Sequence, residues 1–177
     1  MANAGNDFSN SLKTANQFGI TKKMKPAALL AFVTDIHGLG LETAQGLYLT
    51  TGWYWDLNDK TRSFAKRFFE KTKREPTMTQ AAYYSATLTY LKAVKAAGTS
   101  DSQAVLAKMR EMPVDDFFSR GGTIRKDGRM VHDMLLVQVK TPAESKYPWD
   151  YYKVLATISG DQAFRPIADS ECPLVKQ

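Results

Sequence analysis

A chain of 177 residues, 44% of them apolar, is long and apolar enough to fold around a core, which excludes an intrinsically disordered chain. Its formal charge of +6 comes from 24 Lys and Arg against 18 Asp and Glu. These charges are spread along the sequence and lack the compact basic stripe, interleaved with aromatics, of a nucleic-acid-binding surface. One cysteine, Cys172, and two histidines, His37 and His132, allow no disulfide within the chain and form no metal-ligand pattern.

The amino-terminal stretch MANAGNDFSN has neither the basic nor the apolar region of an export signal, and no later run is apolar over the roughly 18 residues a membrane span needs. Asn6 and Asp7 can cap a helix over residues 7–18, with Phe8, Leu12, Ala15 and Phe18 on its inner face and Gly19 closing it. Residues 27–33 are a continuous apolar run, the pattern of a strand covered on both faces. Residues 36–45 read as a short helix and residues 46–51 as the next strand. That strand ends in the aromatic cluster Trp53, Tyr54 and Trp55, followed by the helix starters Asp56, Asn58 and Asp59. An open α/β sheet binds ligands at the carboxyl ends of its strands, and amphipathic rings placed there can stack on a small molecule.

Helical spacing then dominates. Residues 59–72 carry Phe64, Ala65, Phe68 and Phe69 inward. Residues 77–97 predict a buried stripe of Ala81, Tyr84, Leu88, Leu91 and Val94. A third helix opens at Ser100 or Asp101 and is stopped by Pro113. The last third changes period. It predicts a hairpin about Lys126, Asp127 and Gly128, a strand over 134–140, a loop carrying Pro142 and Pro148, a strand over 151–158 and an irregular tail. This order predicts an α/β fold with a mainly parallel sheet flanked by helices, plus a hairpin and antiparallel strands toward the carboxyl end.

The runs NDFSNSLKTANQFGI, KPAALLAFVTD, AQGLYLTTGWYWDLNDKTRSFAKRFFEKT and PTMTQAAYYSATLTYLKAV, with the hairpin GGTIRKDGRMVHDMLLVQVK, resemble the carboxyl-terminal part of type I periplasmic solute-binding proteins. More narrowly, they resemble the branched-chain amino-acid-binding group of ABC importers. The resemblance covers nearly the whole chain and rests on the order and spacing of segments. It implies two α/β lobes joined by three crossovers around a ligand cleft. Residues 1–52 would then belong to the second lobe, 53–58 to a crossover, 59–131 to the first lobe, and 132–177 to the return crossover and final strands. It also implies a fragment without the amino-terminal half and its signal peptide, from a periplasmic, non-enzymatic parent that delivers a small amino acid or carboxylate to permease subunits. That parent would touch the membrane only peripherally and bind no nucleic acid.

The candidate ligand-binding residues are Asn3, Asn6, Asp35, Trp53, Tyr54, Trp55 and Tyr83. The resemblance places Asp35 where family members meet the ligand's ammonium; its ordinary alternative is a helix cap. Strand alternation would send the three clustered aromatics to opposite faces, leaving one or two for a cleft and the rest for packing. Tyr84 fits the buried stripe, and Tyr83 lies off it. Asn3 and Asn6 match a loop lining the family's cleft, with turn formation and capping as their ordinary roles. Two other classes remain open: the ligand-sensing domain of a receptor or regulator, and a small hydrolase-like enzyme using Asp35 and His37, for which no nucleophile motif is present. Gly38, Leu39 and Gly40 are too short a run for a dinucleotide fingerprint, and no catalytic residue, metal or cofactor is assigned.

Overall fold

The computed structural model of the chain describes every residue except Leu174, Lys176 and Gln177. Its elements, in chain order, are α1 Gly5–Gln17, α2 Ile20–Lys23, β1 Ala27–Ala28, α3 Val33–Leu39, α4 Leu41–Ala44, β2 Tyr48–Thr51, α5 Asp59–Thr72, α6 Met78–Ala97, α7 Ser102–Glu111, β3 Thr123–Ile124, β4 Met130–Val131, β5 Met134–Val139, β6 Tyr152–Ile158 and α8 Gly160–Ala163. A four-stranded sheet runs in the order β1-β2-β5-β6, and β3 with β4 forms a separate hairpin. β1 pairs parallel with β2, and β2 pairs antiparallel with β5, Thr51 facing Leu135 and Tyr48 facing Gln138. The α/β class expected from the sequence holds, with a mixed sheet. Among the described residues no helix is long and apolar enough to cross a membrane.

By contacts the chain forms two compact units: residues 1–78 with 135–157, and residues 79–134 with 158–177. The backbone passes between them at 78/79, 134/135 and 157/158. Residues 53–72, including α5, group with the residues before them.

The first unit holds a continuous core in which α1 contributes Phe8 and Leu12, α3 Val33 and Ile36, β2 Leu49, and β5 Leu135, Val137 and Val139. α1 presents Phe8, Leu12 and Ala15 to this core as the spacing predicts, but Phe18 is exposed. Its N-cap is Ala4, with no side-chain bond, so Asn6 sits inside the first turn and caps nothing. Gly19 closes the helix in the left-handed region at φ 67°, as expected of that position.

The apolar run 27–33 does not make one buried strand. Only Ala27 and Ala28 are in the sheet, at its edge, and Leu29 and Leu30 are exposed. The chain leaves the ladder because Phe32 and Val33 already start α3. The expected helix over 36–45 is two, α3 and α4, broken at Gly40, whose φ of 77° interrupts helical geometry. α5 matches its expected limits, and the Asn58 side chain accepts from the N–H groups of Lys60 and Thr61.

The second unit is built differently. The buried stripe of α6 is Ala81, Ser85, Thr89 and Ala93, a row of small side chains spaced by four. Tyr84 and Leu91, expected inside, are exposed. Tyr84 instead packs edge-on against Phe117, ring centroids 5.7 Å apart. α7 is capped by Asp101, which accepts from Ala104 N–H at 3.0 Å, and it buries Val105. The tail is not wholly irregular: it forms α8 and a 3-10 turn over Ile167–Asp169.

Candidate ligand site

The site grows from the carboxyl end of β2. Buried Thr51 donates from its hydroxyl to the Trp53 carbonyl at 2.8 Å, closing a turn about Gly52, whose N–H points at the Met78 sulfur at 3.3 Å. The turn ends the strand before the aromatic cluster, so pleat alternation does not govern Trp53, Tyr54 and Trp55. Trp53 and Tyr54 are both buried and Trp55 is half-buried, a correction to the expected split between faces. Trp53 meets Phe64 edge-on at 5.9 Å. Together with Phe32, Pro76 and Tyr152, Trp53 and Tyr54 border a void of about 10 Å³.

Asp35 is the third residue of α3, and its Oδ2 accepts from Phe32 N–H at 2.8 Å, satisfying an amide left free at the helix start. It is half-buried, one turn from the segment that walls the void. His37 does not pair with Asp35. Its ring stacks on Trp149 at 3.9 Å with a 4° tilt, and its Nδ1 lies 2.7 Å from the Tyr151 hydroxyl.

Tyr54 and Trp55 converge on one acceptor. The Tyr54 hydroxyl and the Trp55 indole N–H each donate at 3.1 Å to the Trp149 carbonyl. Tyr54 also accepts from the N–H groups of Tyr151 and Tyr152 at 3.2 and 3.4 Å. Burial drives the Tyr54 phenol well above its ordinary pKa against the pull of these two amides. Trp149 holds a left-handed conformation at φ 67°, rare for a bulky residue and sustained here by its two side-chain donors and the His37 stack. Nearby, Tyr147 donates to Asp56 at 2.5 Å, and this bond raises the phenol's pKa to about 12. Asp56 also binds Arg62 at 3.0 Å.

Asn3 lies just ahead of α1, where its Nδ2 donates to the Asp7 carbonyl at 3.1 Å and to the Ser11 hydroxyl at 2.7 Å. Asn6 is exposed in the first turn. Tyr83 is 73% exposed and belongs to the second unit. The structure thus brings the helix of Asp35 together with Trp53 and Tyr54, ties Trp55 to Trp149, and leaves Asn3, Asn6 and Tyr83 on their own elements.

Three buried polar side-chain atoms lack a hydrogen-bond partner among the described residues: Asn3 Oδ1, Glu75 Oε2 and the Tyr152 hydroxyl. All three lie in the first unit. Sequence reasoning missed two of these residues. Glu75 follows the basic run KTKR, where nothing local marks it for burial, yet it is 9% exposed. Burial, and then the negative Asp56, lift its pKa from 4.5 to about 7. Tyr152 begins β6, where a strand pattern predicts only packing. Burial, with Tyr54 and Asp35 adding to it, keeps its hydroxyl protonated and therefore a donor. Pro76 directly after Glu75 was the one available local sign, since the residue before a proline is held to extended backbone. Among the described residues no group of His, Cys, Asp and Glu is arranged to hold a metal.

Residues 1–146 match the family model described as periplasmic binding protein. Among solved structures, a periplasmic binding protein from Burkholderia mallei is 55% identical with a TM-score of 0.92; the match covers 97% of this chain and 46% of that one. A branched-chain amino acid ABC transporter periplasmic ligand-binding protein from Burkholderia xenovorans is 43% identical with a TM-score of 0.90, covering 98% of this chain and 47% of that one. At 24% identity, an amino acid ABC transporter substrate-binding protein from Pseudomonas fluorescens shares the fold, with a TM-score of 0.78, 96% of this chain and 45% of that one. A search of curated proteins gives no match. This chain belongs to the periplasmic binding protein family, whose members bind solutes and are not enzymes, so the hydrolase-like reading built on Asp35 and His37 falls. It spans a little under half the length of the solved relatives it matches.

Proposed function

We propose that this chain is the carboxyl-terminal portion of the substrate-binding component of an ABC importer, one that captures a small amino acid or carboxylate between two lobes in the periplasm and presents it to permease subunits. The carrying observation is the 55%-identical match, over 97% of this chain, to a periplasmic binding protein; beside it, Trp53, Tyr54 and the unpaired Tyr152 hydroxyl border one small void beyond β2. The 43%-identical relative described as a branched-chain amino acid transporter protein supports the same ligand class.

In this reading Asp35 and Glu75 face the ligand's positive end, Tyr152 donates to an oxygen, and Trp53, Tyr54 and Trp55 wall the apolar part. Asn3, Asn6 and Tyr83 remain rim contacts. Residues 1–52 belong to the second lobe, the first link falls within residues 53–78, and the later links are the two passages flanking 135–157. Ligand contacts with both lobes favour a closed state, so binding shifts a hinge equilibrium.

Calorimetry with leucine, isoleucine, phenylalanine and benzoate tests the reading. The comparison is between this chain alone and the chain joined to the unmatched part of the Burkholderia mallei protein. The joined protein is expected to bind one of these ligands at least about a hundredfold more tightly, since two decades correspond to about 3 kcal/mol, or two or three polar contacts. Equal affinity in the two proteins contradicts the shared cleft, and no binding of any ligand by the joined protein contradicts the ligand class.

A further inference from the structure

In the second unit, the turn of the β3–β4 hairpin and the tail after α8 border an open hollow of about 270 Å³. Three guanidiniums line it, Arg125 and Arg129 from the hairpin turn and Arg165 from the tail, against the two carboxylates Asp127 and Glu171. The hollow therefore carries an excess of positive charge. It shares no residue with the solute site proposed above.

The three arginines are not equally free. Arg125 donates from Nε and Nη2 to the two oxygens of Asp127 at 3.2 and 2.6 Å, and from Nη1 to the Arg165 carbonyl at 2.9 Å. That fork holds the Asp127 carboxyl below its ordinary pKa, so the pair is charged on both sides and cancels. The third bond ties the tail to the hairpin. The Arg129 guanidinium makes no hydrogen bond or ion pair among the described residues. It lies over the Phe164 ring, 5.3 Å from the centroid, a contact that orients its plane and leaves its N–H edge unspent. Arg165 approaches Glu171 only to 4.0 Å with both side chains largely in solvent, an ion pair that commits little of its charge. Ser170, also on the wall, accepts from Cys172 N–H at 3.2 Å and keeps its own proton to donate.

We propose that this hollow is an oxyanion site for phosphate or a phosphate monoester, held by Arg129 and Arg165 with Ser170 donating beside them. Arg125, already saturated, frames the site by fixing hairpin and tail together. A guanidinium presents a planar fork that matches carboxylate and phosphate oxygens. A carboxylate offers two oxygens in one plane and is used up by one fork. A tetrahedral phosphate offers three or four terminal oxygens and can engage two forks that come from different segments, which is the arrangement of Arg129 and Arg165. The volume is slightly below the roughly 300–1,000 Å³ of sites for drug-sized molecules, and it suits a small ion or a headgroup.

Calorimetry of the chain at low salt, with inorganic phosphate and with glycerol 3-phosphate, tests the site. Saturable binding is expected. Arg129→Gln is expected to weaken it about tenfold, the loss of one charge-assisted hydrogen bond. Arg129→Lys keeps the charge without the fork and is expected to fall between Arg129→Gln and the unaltered chain. Lys13→Gln removes an equal charge from α1 and is expected to change nothing. Arg165→Gln, at a side chain largely in solvent, is the second variant if Arg129→Gln alters the circular dichroism spectrum. Co-sedimentation with phosphatidylcholine vesicles, with and without phosphatidic acid, separates the sources: arginine-dependent binding to the phosphatidic acid vesicles assigns a lipid headgroup, and arginine-dependent binding to glycerol 3-phosphate alone assigns a soluble ester. Four results overturn the proposal: no saturable binding of either phosphate compound; Arg129→Gln and Arg165→Gln both binding like the unaltered chain; Lys13→Gln as damaging as Arg129→Gln, the mark of a general charge effect; or acetate bound as tightly as phosphate, which removes the tetrahedral ion.

Discussion

The two compact units fail to complete themselves in opposite ways. The first has a full apolar core built from four helices and strands, yet it buries Asn3 Oδ1, Glu75 Oε2 and the Tyr152 hydroxyl without partners. Among its described residues the second pairs its buried side-chain polar atoms, but the buried apolar side chains are Ala81, Ala93, Val105 and Val114, and an open hollow of about 700 Å³ lies beside them. Each unpaired buried polar atom costs about 1–3 kcal/mol while unsatisfied. A core of small apolar side chains gains less, because each contributes few dispersion contacts. The difference separates a unit that is well packed but carries unpaired polar atoms from one whose polar atoms are paired but whose apolar packing is thin.

The strongest way to break the comparison is to delete core volume in each unit. Ile36 is fully buried in α3 against the sheet, so Ile36→Ala should cost about 2–5 kcal/mol in urea unfolding. Leu106 borders the hollow of the second unit and is only half-buried, so Leu106→Ala should cost roughly 1 kcal/mol or less. Equal losses would mean that the second unit is as well packed as the first.

Next in size is Tyr54→Phe. It removes the hydroxyl that holds the Trp149 carbonyl and accepts from two backbone amides, so roughly 1–3 kcal/mol should be lost. The strained Trp149 should then relax, seen as a change in tryptophan fluorescence. An unchanged stability would show that the aromatic cluster is not the brace of the first unit.

Glu75 gives the comparison a pH dependence. Its folded pKa of about 7 lies above the ordinary 4.5, so between these values the folded state holds more protons than the unfolded one. Stability therefore falls as pH rises through that window and is lowest above it. At about 1.4 kcal/mol per pKa unit, and with nearby water screening the charge, the change should be roughly 1–2 kcal/mol. Glu75→Gln should flatten the profile and leave the protein more stable than wild type above the window. A wild-type profile that rises across the window would contradict the burial of this carboxylate.

Much of this arrangement was legible in the sequence, and the failures share a cause. α5 and the capped start at Asn58 were readable because the signals are local: a cap, a helical period and no breaker. Gly19 and the hairpin were readable for the same reason. The misreadings at Leu29, Leu30, Tyr84 and Leu91 all assumed that apolar side chains find cover. It fails at Leu29 and Leu30 because the chain leaves the sheet after Ala28 to start α3, and at Tyr84 and Leu91 because the inward row of α6 is Ala81, Ser85, Thr89 and Ala93. In the site, the aromatic cluster and Asp35 stood out by type and position. Glu75 and Tyr152 did not, because what distinguishes them is long-range burial, which neither a charge run nor a strand pattern records.

The smallest expected effect is also the one that tests the polar half of the comparison most directly. The Tyr152 ring is 5% exposed and packs at 4.9 Å from Tyr54, so Tyr152→Phe keeps the shape of the core and removes only the hydroxyl. Because that hydroxyl has no protein partner, its removal deletes a desolvation cost and no intramolecular bond. The adjoining void of about 10 Å³ is at the lower limit for one water, so solvent offers the hydroxyl at most a single partner. Tyr152→Phe should therefore leave urea stability unchanged or raise it by up to about 1 kcal/mol. In the joined protein the same change should weaken ligand binding about tenfold, equal to the roughly 1.4 kcal/mol of one lost hydrogen bond. A loss of stability would mean that the hydroxyl is already satisfied inside the folded unit. A gain in stability with undiminished affinity would mean that it is an unpaired group with no ligand to meet, and the polar side of the comparison would then rest on Asn3 and Glu75 alone.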